Sequence, residues 1–148
     1  MYNSAYNEIM ENLYLGSKQA LTFYENFQLI VNCTNEVGFP HGYSGECIRI
    51  AVNDDPYECR KMIQSVLESK VLEHIHRYRI DKKSVLVHCF AGMQRSCAVV
   101  ALYLIKYYDF TPNQCIEFIR IKRPVAFFGG ANFLRALEYY YHMTKSQI

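Results

Sequence analysis

The stretch from Ser84 to Ile105 restricts the possible folds of this chain more than any other. It opens with Ser84-Val85-Leu86-Val87-His88, a β-branched apolar run without polar alternation, which suits a strand covered on both faces. It closes with Cys97-Ala98-Val99-Val100-Ala101-Leu102-Tyr103-Leu104-Ile105, apolar almost all round, as a helix packed deep in a domain would be. The segment between them, Cys89-Phe90-Ala91-Gly92-Met93-Gln94-Arg95-Ser96, must carry the chain from a buried strand straight into a buried helix.

The rest of the chain repeats the strand-then-helix theme. Leu29 to Cys33 and Cys47 to Val52 read as further strands, and Leu13-Tyr14-Leu15, ended by Gly16-Ser17, as a shorter one. Between the second core strand and Ser84, apolar residues at Met62, Ile63, Val66, Leu67, Val71, Leu72 and Ile75 fall three and four apart behind Pro56, which predicts one amphipathic helix. Thr111 as N-cap and Pro112 at the first helical position open a helix through Cys115 to Ile121, and Asn132 to Met143 predicts the last one, set off by Gly129-Gly130. These elements predict an α/β fold: one domain over residues 1–148, with a largely parallel central sheet of about five strands flanked by helices. A length of 148 residues and a hydrophobic share of 51% are enough to bury one core.

Composition narrows the setting. The net charge of +2 argues for neither a nucleic-acid coat nor a polybasic membrane anchor. The six cysteines form no Cys-x-x-Cys pair, so neither a zinc site nor a disulfide framework is expected, and no cofactor is implied. The first residues lack a basic start followed by an apolar run, no window approaches a membrane span, and myristoylation and prenylation signals are missing. The expected setting is cytoplasmic or nuclear.

In an α/β sheet, ligands bind beyond the carboxyl ends of the strands, and the loop from Cys89 to Arg95 occupies that place. Gly92 lets the backbone turn tightly, so that successive N–H groups along Phe90, Ala91, Gly92, Met93 and Gln94 can point inward as a nest for an anion. The following helix adds its positive end. Arg95 supplies a planar fork of donors that fits two phosphate oxygens at once. Cys89 lies at the bottom of this cradle, where all these groups favour a negative charge on its sulfur. Such a nucleophile can attack phosphorus and form a phosphocysteine intermediate. Ser96 is placed to donate a hydrogen bond to the sulfur and help it leave, while His88 orders the loop. A buried cysteine after a Val-Leu-Val strand is ordinarily a small core residue. The arginine, the glycine, the following serine and the strand-to-helix context together reverse that expectation.

The run His88-Cys89-x-x-Gly92-x-x-Arg95-Ser96 resembles the signature of the cysteine-based protein phosphatases, and the chain as a whole is similar to their small dual-specificity branch. The resemblance extends to Asn12-Leu13-Tyr14-Leu15-Gly16-Ser17, Leu29-Ile30-Val31-Asn32-Cys33-Thr34, Ser84 to Cys89 and Ile121-Lys122-Arg123-Pro124. It implies hydrolysis of phosphotyrosine and phosphoserine or phosphothreonine in protein substrates. It also implies an aspartate on a loop above the pocket that protonates the leaving group. The register of Ile50-Ala51-Val52-Asn53-Asp54 favours Asp54, with Asp55 as a rival that could instead cap the helix begun at Pro56.

Two positions depart from the family pattern. An asparagine that braces the loop is usual where this chain has Gly130, and Asn132 is the expected substitute. Cys97 stands where a small residue is usual; packing against the helix is its bland role, and a reversible disulfide with Cys89 the sharper one. None of Phe90, Ala91, Met93 and Gln94 is charged, which sets the loop apart from lipid-directed and capped-RNA relatives. Arg123 matches the family's Lys-Arg-Pro motif and is expected to contact substrate, whereas Arg120 and Lys122 read as a solvated helix end. Two rival readings are a phosphoprotein-binding module with little turnover and an RNA 5′-phosphatase.

Overall fold

The computed structural model describes residues 4–146. Five strands, β1 (Tyr6–Met10), β2 (Leu13–Gly16), β3 (Leu29–Asn32), β4 (Glu46–Arg49) and β5 (Val85–His88), form one sheet in the order β1-β2-β5-β3-β4. β2, β3, β4 and β5 run parallel, and β1 is antiparallel to β2. The helices are α1 (Cys59–Ser69), α2 (Val71–Ile80), α3 (Arg95–Tyr108), α4 (Pro112–Lys122) and α5 (Leu134–Lys145), with a 3₁₀ segment over Lys18–Asn26 and a short 3₁₀ turn over Pro56–Glu58. The expected single α/β sheet with mostly parallel strands and flanking helices is the one observed.

Strand alternation divides the core in two. Leu13, Leu15, Leu29, Val31, Val85 and Val87 face the helices, and α3, buried from Arg95 to Ile105, packs on them with α2, α4 and α5 around it. Ile30 and Leu86 face the other way into a smaller cluster closed by Ala20, Phe27 and the rings of Tyr6, Tyr14, Tyr24 and Tyr43. β5 is therefore apolar at Val85, Leu86 and Val87 because both faces are covered; the 3₁₀ segment covers the second one. Each such aliphatic side chain contributes roughly 1.5–3 kcal/mol by leaving water.

Five features depart from the sequence expectations. The helix expected over Met62 to Ile75 is two helices joined at Lys70, which adopts a left-handed conformation with φ 57. The apolar periodicity runs through the break because both helices pack on the same core. Pro56 belongs to the 3₁₀ turn ahead of α1 rather than to α1 itself. The second core strand ends at Arg49, after which Ile50 and Val52 leave the ladder and are buried in the core. β1 was not anticipated: only Ile9 of its five residues is buried, so it carries no clear alternation. α5 starts at Leu134, leaving Asn132 outside it.

Candidate active site

Sheet register decides what surrounds the loop after β5. His88 pairs with Gly16 on one side and Asn32 on the other, so the segments that follow β2 and β3 flank the loop. The carbonyl oxygens of the loop are all taken from outside it. Phe90 O accepts from Lys18 N–H at 3.0 Å and Met93 O from Phe127 N–H at 2.7 Å. Gly92 O accepts from Arg123 Nε at 2.9 Å and Ala91 O from Arg123 Nη2 at 3.3 Å. With the carbonyls drawn outward, the N–H groups from Phe90 to Gln94 are left without protein acceptors among the described residues, the arrangement of an anion nest. Gly92 makes the turn possible. Its φ is 69, and a Cβ there would lie 2.6 Å from the Gly16 carbonyl and 2.7 Å from Arg123 Nη2.

Cys89 is buried at the end of β5, its Sγ 3.1 Å from Ser96 Oγ on the first turn of α3. Arg95 is buried beside it. Its Nη1 donates to Glu36 Oε1 and to Val52 O, both at 3.1 Å, and its Nη2 donates to Glu36 Oε2 at 2.9 Å. Its Nε is buried with no partner, a donor still to be matched. The hydrogen bonds from Arg95 hold the Glu36 carboxyl below the usual carboxylate range. A cavity of about 360 Å³ is lined by Cys89, Phe90, Ala91, Met93, Gln94, Arg95, Asp54 and Glu36.

The two aspartates separate by geometry. Asp55 Oδ1 accepts from Tyr57 N–H at 2.8 Å and caps the 3₁₀ turn. Asp54 borders the cavity, and its Oδ1 accepts from Asn132 Nδ2 at 2.8 Å. The loop bearing Asp54 is tied down by Glu58 Oε1, which accepts from Asn53 N–H at 2.9 Å, and by Asn35 Nδ2, which donates to Asn53 Oδ1 at 2.8 Å.

His88 is fully buried, with Nδ1 3.2 Å from Cys89 O. Burial, and after it the Arg49 and Arg95 charges, depresses its pKa to about 4, against which the contact with Cys89 works. Phe90 stands half exposed on the rim, under Lys18 Nζ at 4.3 Å from its ring centroid.

Arg123 does not take the place expected of it. It is buried behind the loop, where besides the Ala91 and Gly92 carbonyls it holds Ser4 O at 2.9 Å and Asn7 Oδ1 at 2.8 Å through Nη1. The unanticipated β1 brings those acceptors there. Arg120 is likewise spent on backbone, donating to Ala126 O and Phe127 O. Asn132, expected to brace the loop, touches it only through its backbone N–H, which donates to Gln94 Oε1 at 2.9 Å. Cys97 is buried, its Sγ donating to Gly92 O at 3.6 Å, and burial pushes its thiol up strongly.

Sequence reasoning missed Glu36. A signal existed in Asn32-Cys33-Thr34 at the end of a core strand: Asn32 Oδ1 accepts from Thr34 N–H and Oγ1, and Thr34 Oγ1 accepts from Val37 N–H. That is the turn chemistry of short polar side chains, and it fixes the segment carrying Glu36. Among the described residues, no cluster of three or more His, Cys, Asp or Glu is placed to hold a metal ion, and no helix is long and apolar enough to cross a membrane.

The chain is similar to known proteins in sequence and in fold. The chain is 30% identical over 144 residues to the putative tyrosine phosphatase 123R of Invertebrate iridescent virus 6, covering 94% of each. It is 29% identical to human dual specificity protein phosphatase 16, covering 94% of this chain but 21% of that protein; it thus spans about a fifth of that relative's length. Its fold matches the crystal structure of human DUSP28 with a TM-score of 0.84 at 22% identity, over 97% of both chains. Residues 13–143 match the family model described as the catalytic domain of dual specificity phosphatases, and the chain belongs to that family.

Proposed function

We propose that this chain is a phosphoprotein phosphatase that hydrolyses phosphotyrosine and phosphoserine or phosphothreonine through a phosphocysteine intermediate, with residues 1–148 as one catalytic domain. The observation that carries this reading is Cys89 Sγ on the floor of an N–H nest, 3.1 Å from Ser96 Oγ. In the first step the sulfur attacks phosphorus, the S–P bond forms, and the bond from phosphorus to the substrate oxygen breaks while Asp54 hands that oxygen a proton. The nest and Arg95, whose Nε awaits an acceptor, hold the phosphoryl oxygens as charge shifts. In the second step water attacks phosphorus, Asp54 takes its proton, and the S–P bond breaks with Ser96 donating to the departing sulfur.

The cavity wall supports protein rather than inositol-lipid substrates. Phe90, Ala91, Met93 and Gln94 offer no cation for additional phosphates, and Arg123 is spent behind the loop. The free thiols of all six cysteines fit a reducing compartment, cytoplasmic or nuclear. A test compares wild type with Cys89→Ser on phosphotyrosyl and phosphothreonyl peptides. Wild type should release phosphate from both, and Cys89→Ser should bind peptide without turnover. Turnover surviving in Cys89→Ser would refute the mechanism.

A further inference from the structure

Asn132 stands one residue ahead of Phe133, the N-cap of α5, so its side chain is not committed to that helix. It reaches instead across 78 residues of sequence to Asp54 Oδ1. Its backbone is fixed from the opposite side. The buried Gln94 side chain donates through Nε2 to Phe128 O at 3.1 Å and Gly130 O at 2.8 Å, and accepts from Asn132 N–H at 2.9 Å. Gly129 and Gly130, with φ 80 and 107, let the turn curl until these groups converge on one amide. Gln94, the loop residue just ahead of α3, thus grips the turn, and the turn grips Asp54.

We propose that Asn132 is a positioning residue for the general acid: anchored by Gln94, it occupies Oδ1 of Asp54 and leaves Oδ2 as the atom that carries the proton. Oδ2–H then protonates the leaving oxygen as its bond to phosphorus breaks, and Oδ2 takes a proton from water in the second step. Asp54 sits outside any strand or helix, so a fixed Oδ1 sets where Oδ2 can be. This inference rests on the phosphatase reading above, and within it on Asp54 as the acid.

The experiment measures kcat for wild type, Asn132→Ala, Asn132→Leu, Asp54→Ala and the Asp54→Ala/Asn132→Ala double variant. The substrates are a phosphotyrosyl peptide and an aryl phosphate whose leaving group departs without a proton. A misplaced acid should cost about tenfold on the peptide and less than about twofold on the activated ester. Asn132→Leu, which keeps the backbone bond to Gln94 and a similar volume but has no donor, should show the same pattern if the alanine variant folds poorly. In the Asp54→Ala background, Asn132→Ala should cost nothing further. Equal losses on both substrates, or an undiminished loss when Asp54 is already absent, would overturn the proposal in favour of a role in holding the loop. If Asp54→Ala alone keeps full activity on the peptide, the acid assignment fails, a result separate from activity surviving in Cys89→Ser.

Discussion

Glu36 places both carboxylate oxygens on the Arg95 guanidinium, Oε1 at 3.1 Å from Nη1 and Oε2 at 2.9 Å from Nη2. The group that should receive a phosphate is thus already held by an internal carboxylate, with only Nε unmatched. A phosphoryl group that takes Nε and displaces Oε2 from Nη2 can bind while Nη1 keeps Glu36 and Val52 O. Glu36 therefore acts in two opposed ways: it orients Arg95, and its charge repels the incoming dianion.

Two substitutions separate these effects. Glu36→Gln retains an oxygen acceptor and removes the charge, so inorganic phosphate should inhibit more strongly, by about threefold in Ki, a modest change because the Glu36 side chain is 48% exposed. Glu36→Ala also removes the orientation and should lower kcat about tenfold. Steady-state kinetics with phosphate as competitive inhibitor read both. Unchanged Ki in Glu36→Gln would mean that the charge is screened from the ligand.

Ser96 should affect the second chemical step more than the first, because its hydroxyl lies 3.1 Å from the sulfur that leaves in the proposed mechanism. In Ser96→Ala the phosphocysteine should accumulate. Rapid mixing with an aryl phosphate should then show a burst close to one equivalent, followed by turnover reduced about a hundredfold. A slow first turnover without a burst would assign Ser96 to formation of the intermediate instead.

What could be read from the sequence was what lies close together in it. The strand from Ser84, the loop and the helix after Ser96 are contiguous, and each is marked by its own composition. The helix after Thr111 carries a complete capping box, with Thr111 Oγ1 accepting from Gln114 N–H and Gln114 Oε1 from Thr111 N–H. The break at Lys70 has no glycine or proline to announce it. The contacts that define the site join distant residues: Glu36 to Arg95 across 59 positions, Gln94 to Asn132 across 38, Asn132 to Asp54 across 78. No local pattern encodes such pairs. The family resemblance expects an asparagine at the Gly130 position and Asn132 as its substitute; in the structure the Asn132 backbone N–H meets Gln94 Oε1 while its side chain goes to Asp54.

Arg123 should matter for stability rather than for choice of substrate. It fastens the phosphate loop to the first strand by hydrogen bonds from Nε, Nη1 and Nη2, and all of its acceptors are backbone or the Asn7 amide. Arg123→Ala removes the side-chain donor from the Ser4, Ala91 and Gly92 carbonyls, and Gly92 O keeps only Cys97 Sγ; a buried carbonyl left unpaired costs roughly 1–3 kcal/mol. Its unfolding midpoint in urea should fall sharply, while the ratio of activity on phosphopeptides to that on an aryl phosphate stays near wild type. A changed ratio at unchanged stability would return Arg123 to the substrate.

His88 links the site to pH through folding. Its side chain is fully buried, Nδ1 lies against the Cys89 carbonyl, and Nε2 has no partner, so a second proton would create an unmatched buried donor near Arg49 and Arg95. Burial above all lowers its pKa to about 4 in the folded chain, against about 6.5 when unfolded. Because the folded value is the lower one, the stabilisation is fully present above about pH 6.5 and is lost as pH falls toward 4. The span corresponds to roughly 3 kcal/mol. Urea unfolding near pH 7 and near pH 4.5, for wild type and His88→Asn, isolates this contribution from that of the carboxylates: wild type should lose roughly 2–3 kcal/mol more than the variant over that interval. Parallel losses in the two proteins would show that His88 accepts a proton in the folded chain as readily as in the unfolded one, and that the loop tolerates the charge.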